Sequence, residues 1–278
     1  MLLTSVVLIL QETLEAALLV SILGVVTLQT GRRLSWLPWG FAAGCVLAFV
    51  YAANLQRISE WFDYIGQELT NAALQSAIAA AIVLLTWRLV RIYAVGDAPG
   101  VARRHHSTVL QVLCGLILCL AVTREGSEIL VYLGGFLAQS DKVQAVLIGS
   151  AIGSGIGISV GLLLFYGLLA LGGRRWIPLA LLALFCGNML AQSALQLTQA
   201  DWLQSGPTLW DSSAWLPEHS VAGRLLYALL GYESSPSAAQ VISYLGGVAA
   251  VLGATHAASR VPLGGSSGAA PMAGDRSP

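Results

Sequence analysis

Residues 116–133 read Leu116-Ile117-Leu118-Cys119-Leu120-Ala121-Val122-Thr123-Arg124-Glu125-Gly126-Ser127-Glu128-Ile129-Leu130-Val131-Tyr132-Leu133. Arg124, Glu125 and Glu128 stand in the middle of an apolar run that extends over about 108–137. A run of this length matches the roughly 20 residues needed to cross a bilayer core of about 30 Å. Each ionisable group at mid-bilayer costs about 2.5–3.5 kcal/mol on insertion scales, so such groups are functional candidates by default.

The pattern occurs a second time. Gln11-Glu12-Thr13-Leu14-Glu15-Ala16-Ala17-Leu18-Leu19-Val20 lines up with Arg124-Glu125-Gly126-Ser127-Glu128-Ile129-Leu130-Val131-Tyr132-Leu133. Within each pair the i,i+3 spacing puts both carboxylates on one helix face, about 60° apart. That geometry suits shared coordination of a hard cation by oxygen. Seven apolar runs are long enough to span, at about 2–28, 38–56, 71–92, 108–137, 144–171, 177–197 and 238–258. Stretches such as Leu179-Ala180-Leu181-Leu182-Ala183-Leu184-Phe185 do not alternate as barrel strands would. The chain therefore reads as an all-α integral membrane protein of seven transmembrane helices. The two E-x-x-E copies fall on the first and fourth helices and so run in opposite directions. This is the expectation for an inverted 3+3 repeat with one further C-terminal helix and a site near the midplane.

Composition agrees. Of 278 residues only 10% are charged and 56% are hydrophobic, with a mean hydropathy of +0.74. A soluble domain carries roughly 25% charged residues. A formal net charge of zero without a basic tract excludes nucleic acid as a partner. The first run has no basic flank and carries glutamates, so it reads as a retained helix and not a signal peptide. One alternate set of loops holds Arg32, Arg33, Arg91, Arg103, Arg104, Arg174 and Arg175, and the other only Arg57, Lys142 and Arg224. Basic loops stay cytoplasmic, which predicts an outside N-terminus and a cytoplasmic C-terminus in the cytoplasmic (inner) membrane. Two outer segments are long. Residues 57–70 read as an interfacial helix, and 198–237 carries Trp202, Trp210, Trp215, Tyr227 and Tyr232 at headgroup level. Residues 1–258 form one transmembrane permease domain, and 259–278 a disordered cytoplasmic tail.

Glu12, Glu15, Glu125 and Glu128 are the candidate metal ligands, with a formal charge of −3 once Arg124 is counted. Arg124 lies four residues before Glu128 and can pair with it along the helix. Gln11 holds the matching place in the first copy, and Tyr132, one turn beyond Glu128, is a further contact on that face. Asp211, Glu218 and His219 form a candidate metal group at the outer entrance. Gly149, Gly153, Gly157 and Gly161 make a small-residue stripe for helix packing, within one protomer or as a homo-oligomer seam. There is no Walker lysine, no methionine ladder and no redox cysteine pair among Cys45, Cys114, Cys119 and Cys186. The chain reads as a transporter, not an enzyme, with no prosthetic group. An intramembrane redox carrier and a scaffold subunit are the readings from other classes.

These motifs resemble the high-affinity iron permease family of seven-helix transporters, marked by R-E-x-x-E on the first and fourth helices. Arg124-Glu125-Gly126-Ser127-Glu128 matches in full, and Gln11-Glu12-Thr13-Leu14-Glu15 matches except for the arginine. The resemblance extends through Leu209-Trp210-Asp211-Ser212-Ser213 and Ala222-Gly223-Arg224-Leu225-Leu226-Tyr227-Ala228-Leu229-Leu230-Gly231-Tyr232 to about residue 258. It implies that the four glutamates bind iron in transit, beside a separate extracytoplasmic iron-binding or iron-oxidising protein. Gln11, and Gln75 near a third-helix site where relatives carry an acid, depart from the pattern. They leave ferrous iron, ferric iron and another divalent cation such as lead or manganese open.

Overall fold

A computed structural model describes residues 2–95, 101–137, 143–171, 174–217 and 220–260. In chain order the elements are α1 (Leu2–Gln29), α2 (Trp36–Ala53), α3 (Leu55–Ser59), α4 (Trp61–Tyr64) and α5 (Gly66–Val95). They continue with α6 (Val101–Leu137), α7 (Val143–Ala170), α8 (Trp176–Gln199), α9 (Val221–Leu230) and α10 (Ala238–Arg260). Seven of these, α1, α2, α5, α6, α7, α8 and α10, are long and apolar enough to cross a membrane. Among the described residues there is no strand, only an isolated antiparallel bridge between Thr208 and Ser237. In lipid each backbone N–H and C=O must be satisfied within its own segment, and helices do this.

Helix bounds follow the apolar runs with local extensions. Residues 101–107, which include the polar run 103–107, continue α6 as helix, and α10 extends to Arg260, two residues past the expected end. The rest of the expected tail lies outside the described residues. The interfacial helix expected over 57–70 is broken. Phe62, Asp63 and Tyr64 all have left-handed backbone, with φ of 53°, 62° and 72°. The chain then doubles back so closely that a Cβ on Gly66 would lie 1.8 Å from the Ile58 carbonyl oxygen. Only glycine fits there, and α5 starts at it.

Two tight seams organise the bundle. Gly149, Gly153, Gly157 and Gly161 of α7 lie against α1: a Cβ would sit 2.7 Å from the Leu2 carbonyl oxygen at Gly149 and 2.7 Å from Ala17 Cβ at Gly161. Ser21 of α1 closes this seam by donating to the Gly161 carbonyl at 2.7 Å. The small-residue stripe is thus used inside the protomer. The second seam joins α2 to α6. A Cβ on Gly40 would lie 2.8 Å from the Gly115 carbonyl oxygen, and one on Gly44 2.6 Å from Val122 Cβ. Backbones that approach this closely gain van der Waals contact, the main attraction between helices in lipid.

A third group of contacts holds α5, α8 and α10. Gly247 of α10 stands so close to α8 that its Cβ would be 2.8 Å from Gly187 Cα. Gln75 of α5 donates to Gln192 of α8 at 3.0 Å, and Ser76 bonds Ser193 at 2.9 Å. One apolar core joins the groups through Leu19, Leu23, Ile82, Ile117, Leu182 and Met189. Large apolar side chains such as Phe49, Leu163 and Ile242 remain exposed on the outer surface of the bundle, where lipid would cover them.

Candidate metal site between α1 and α6

The i,i+3 spacing puts Glu12 and Glu15 on the face of α1 that packs against α6, and Glu125 and Glu128 on the face of α6 that looks back. Glu12, Glu15 and Glu125 are buried, with 7%, 2% and 4% of their surface exposed. The Glu128 side chain is 36% exposed. Glu12, Glu125 and Glu128 each contribute a carboxylate oxygen to a group whose members all lie within 4.8 Å of one another. Ligands on opposite sides of an octahedral divalent ion at about 2.1 Å would be about 4.2 Å apart, so three oxygens within 4.8 Å have to close by only about half an ångström to share one cation.

Arg124 sits under this group with 8% of its side chain exposed. Its Nη1 reaches Glu15 Oε2 across the helix interface at 3.2 Å and also bonds Glu125 Oε1. The pairing expected along the helix, from Nη2 to Glu128 Oε1, is present but longer, at 3.7 Å. Four carboxylates therefore divide into two jobs. Glu15 is held by the guanidinium and stays outside the group of three, while Glu12, Glu125 and Glu128 converge and Glu125 also keeps its bond to Arg124. Glu125 Oε2 and Arg124 Nε are buried without a hydrogen-bond partner. A buried carboxylate oxygen left open is costly, and a hard cation is the chemical partner that suits it.

The other residues singled out from sequence are spread more widely. Tyr132 does not join the carboxylates: its hydroxyl bonds Ser5 at 2.7 Å, tying α6 to α1, and its ring packs on Phe136 with centroids 4.9 Å apart. Gln75 is fully buried in the α5–α8 contact. Asp211 is exposed and accepts from the Ser213 backbone N–H at 2.9 Å. The Ser213 hydroxyl, together with that backbone bond, holds its carboxyl below the usual carboxylate range. Glu218 and His219 lie outside the described residues. Gln11 accepts a hydrogen bond from Arg224 of α9 at 3.3 Å.

Three features were not singled out as site components from sequence. Tyr227, read as a headgroup-level aromatic, is instead partly buried on α9, within electrostatic range of Glu15, Arg124 and Glu12. Its signal is the short amphipathic helix α9, capped by Ser220, whose Oγ accepts from the Gly223 N–H at 3.0 Å. Tyr51 of α2 donates to Asn71 of α5 at 3.2 Å and feels the charges of Glu128 and Glu68. A cavity of about 450 Å³ opens beside the site, lined by Glu12 and Glu125 and otherwise mostly apolar, with Phe41, Cys45, Leu118 and Leu162 among its walls.

Seven apolar helices around a buried carboxylate–arginine cluster define a polytopic membrane protein of the permease class. The description "Iron permease FTR1 family" matches residues 2–259, and the chain belongs to that family. It is 26% identical over 249 residues to the ferrous iron permease EfeU of Escherichia coli O6:H1, covering 84% of this chain and 87% of the relative. EfeU of Shigella sonnei is 26% identical over 248 residues, with the same coverage. EfeU of Shigella flexneri is 27% identical over 175 residues, or 58% of this chain and 72% of the relative. No solved structure gives a significant match. Iron transport across a membrane is the function that this membership carries.

Proposed function

We propose that the chain imports ferrous iron across the cytoplasmic membrane through the α1–α6 carboxylate site. The observation that carries this reading is the convergence of Glu12, Glu125 and Glu128 oxygens within 4.8 Å, one carboxylate having a buried, unpartnered oxygen. The ferrous state is taken from the names of the EfeU relatives. Oxygen ligands of this kind suit a hard or borderline divalent ion. Iron enters as substrate, without a prosthetic group, and the protein works as a permease and not as an enzyme.

Glu128, the most exposed of the carboxylates, is the first to meet the ion and passes it to Glu12 and Glu125. Arg124 holds Glu15 and limits the negative charge, so that the ion is bound but can leave. Basic-loop sorting supports an outside N-terminus and a cytoplasmic C-terminus. An inverted repeat is supported by the exchange of partners: α1 packs on α7 as α2 packs on α6, each seam built on glycines. Rocking of one repeat against the other then alternates access to the site. A separate extracytoplasmic iron-binding or iron-oxidising protein delivers the ion.

The test is uptake of radiolabelled iron into proteoliposomes, supplied as Fe(II) under ascorbate or as Fe(III) citrate, with Mn(II) and Pb(II) as competitors. Fe(II) should enter, and Glu125→Ala should abolish entry at normal protein abundance. Retained uptake in Glu125→Ala would remove the site, and preference for Fe(III), Mn(II) or Pb(II) would remove the ferrous assignment.

A further inference from the structure

The two carboxylate pairs are alike in sequence but not in company. Position 124 is arginine, and its guanidinium serves Glu125 beside it and Glu15 opposite. The equivalent position in the first copy is Gln11, so α1 brings no cation of its own. A cation arrives from another element. Arg224 of α9 donates from Nη1 to Gln11 Oε1 at 3.3 Å. One turn further along α9, Tyr227 lies in electrostatic range of Glu15, Arg124 and Glu12.

The placement of Arg224 is built in. Ser220 caps the start of α9, and Gly231, with a left-handed φ of 69°, ends it. A Cβ on Gly231 would lie 2.8 Å from Asn188 Oδ1, so this end of α9 is seated on α8. The helix is thereby fixed at both ends, with α1 beside it. A guanidinium on the Gln11 amide makes a charge-assisted bond to the residue that precedes Glu12 in α1.

We propose that Arg224 is a positioning residue that supplies, from α9, the positive charge missing at position 11. It orients Gln11 and adds positive charge on the α1 side, where Arg124 makes its ion pair with Glu15 and none with Glu12. This rests on the permease reading above and adds to it a second cation that sets how tightly iron is held. Without it the site would be more negative, would bind iron more strongly and would release it more slowly.

The experiment measures Fe(II) uptake by proteoliposomes and equilibrium Fe(II) binding by the purified full chain in detergent. Arg224→Gln should tighten binding and slow uptake, each by about tenfold, a change of the usual size for coupled sites. Gln11→Arg introduced into the Arg224→Gln protein should return both to within about threefold of the parent. A purely structural role for Arg224 would not be rescued by an arginine on a different helix. Arg224→Gln without effect on either quantity, or failure of Gln11→Arg to restore them in a protein with parental thermal melting, overturns the proposal. If Arg224→Gln does not fold, Arg224→Lys decides, since it keeps the charge: retained uptake supports the proposal and lost uptake overturns it. Glu125→Ala run in parallel separates the two readings. If it still transports, the site reading fails; if it is inactive while Arg224→Gln is silent, only the role of Arg224 fails.

Discussion

The Arg124–Glu15 pair is the point where the structure departs most usefully from a helix-local view, and it can be tested by a double-mutant cycle. The charges are 3.2 Å apart, with 8% and 2% of their side chains exposed. At an effective dielectric constant of about 20, unit charges at this separation attract by about 5 kcal/mol. Desolvation takes back a large part of that, and removing one partner leaves the other buried and uncompensated, at a cost of about 3–5 kcal/mol. Arg124→Gln alone should therefore lower stability by about 3–5 kcal/mol, since it strands Glu15 and Glu125 together. Glu15→Gln alone should cost less, about 1–3 kcal/mol, because Arg124 keeps its bond to Glu125. The double variant should be better than the sum by about 2–4 kcal/mol, as Glu15 is no longer left buried without its guanidinium. Unfolding in mixed detergent, read by tryptophan fluorescence, measures all four corners. Effects that add to within about 0.5 kcal/mol would show that the two side chains do not interact, and the division of the four glutamates into one anchor and three ligands would fall.

Three further outcomes follow from the same geometry. Gly153→Leu places side-chain atoms where a Cβ alone would already lie 2.5 Å from the Val6 carbonyl oxygen. It should cost at least about 1–3 kcal/mol in the same unfolding assay and reduce uptake by displacing α1 with Glu12. Glu128→Gln should raise the KM for iron about tenfold with a smaller change in maximal uptake, because the proposed route makes the more exposed carboxylate the point of capture, whereas Glu125→Gln should remove uptake altogether. Tyr132→Phe loses only the bond to Ser5, so stability should fall by about 1 kcal/mol while the uptake rate stays near that of the parent.

The spans were legible because lipid leaves the backbone few choices, and an apolar run of bilayer length has to be helix. Helix ends were less so. Polarity does not stop a helix, and residues 101–107, with the polar run 103–107, extend α6 past the apolar run. The break at Phe62–Tyr64 left no sequence signal, since bulky aromatic residues rarely adopt positive φ and here the close turn at Gly66 accompanies it. The glycine stripe announced a close helix neighbour but not which one, and α7 uses it on α1. Within the site, burial cost flagged Glu12, Glu15, Glu125 and Glu128. The partner of Arg124 was decided by how α1 and α6 pack, a tertiary fact that spacing along one helix cannot supply. Arg224 looked like an ordinary loop charge because its contact with Gln11 joins positions more than 200 residues apart.

A single arginine also accounts for the unequal burial of the carboxylates. Glu15 and Glu128 occupy the same place in the two E-x-x-E copies, yet Glu15 is 2% exposed while the Glu128 side chain is 36% exposed. Arg124 draws Glu15 in at 3.2 Å but reaches Glu128 only at 3.7 Å. Were the copies equal, an arginine at position 11 would stand to Glu128 as Arg124 stands to Glu15. Gln11 carries no charge and turns its carbonyl oxygen to Arg224. Glu128 is therefore left loosely held at the edge of the cluster, and it is Glu128 that joins Glu12 and Glu125 while Glu15 does not. The glutamine at position 11 thus leaves one guanidinium to serve both copies: Arg124 holds Glu15 and Glu125 directly, and Glu128, held only at 3.7 Å, joins Glu12 and Glu125.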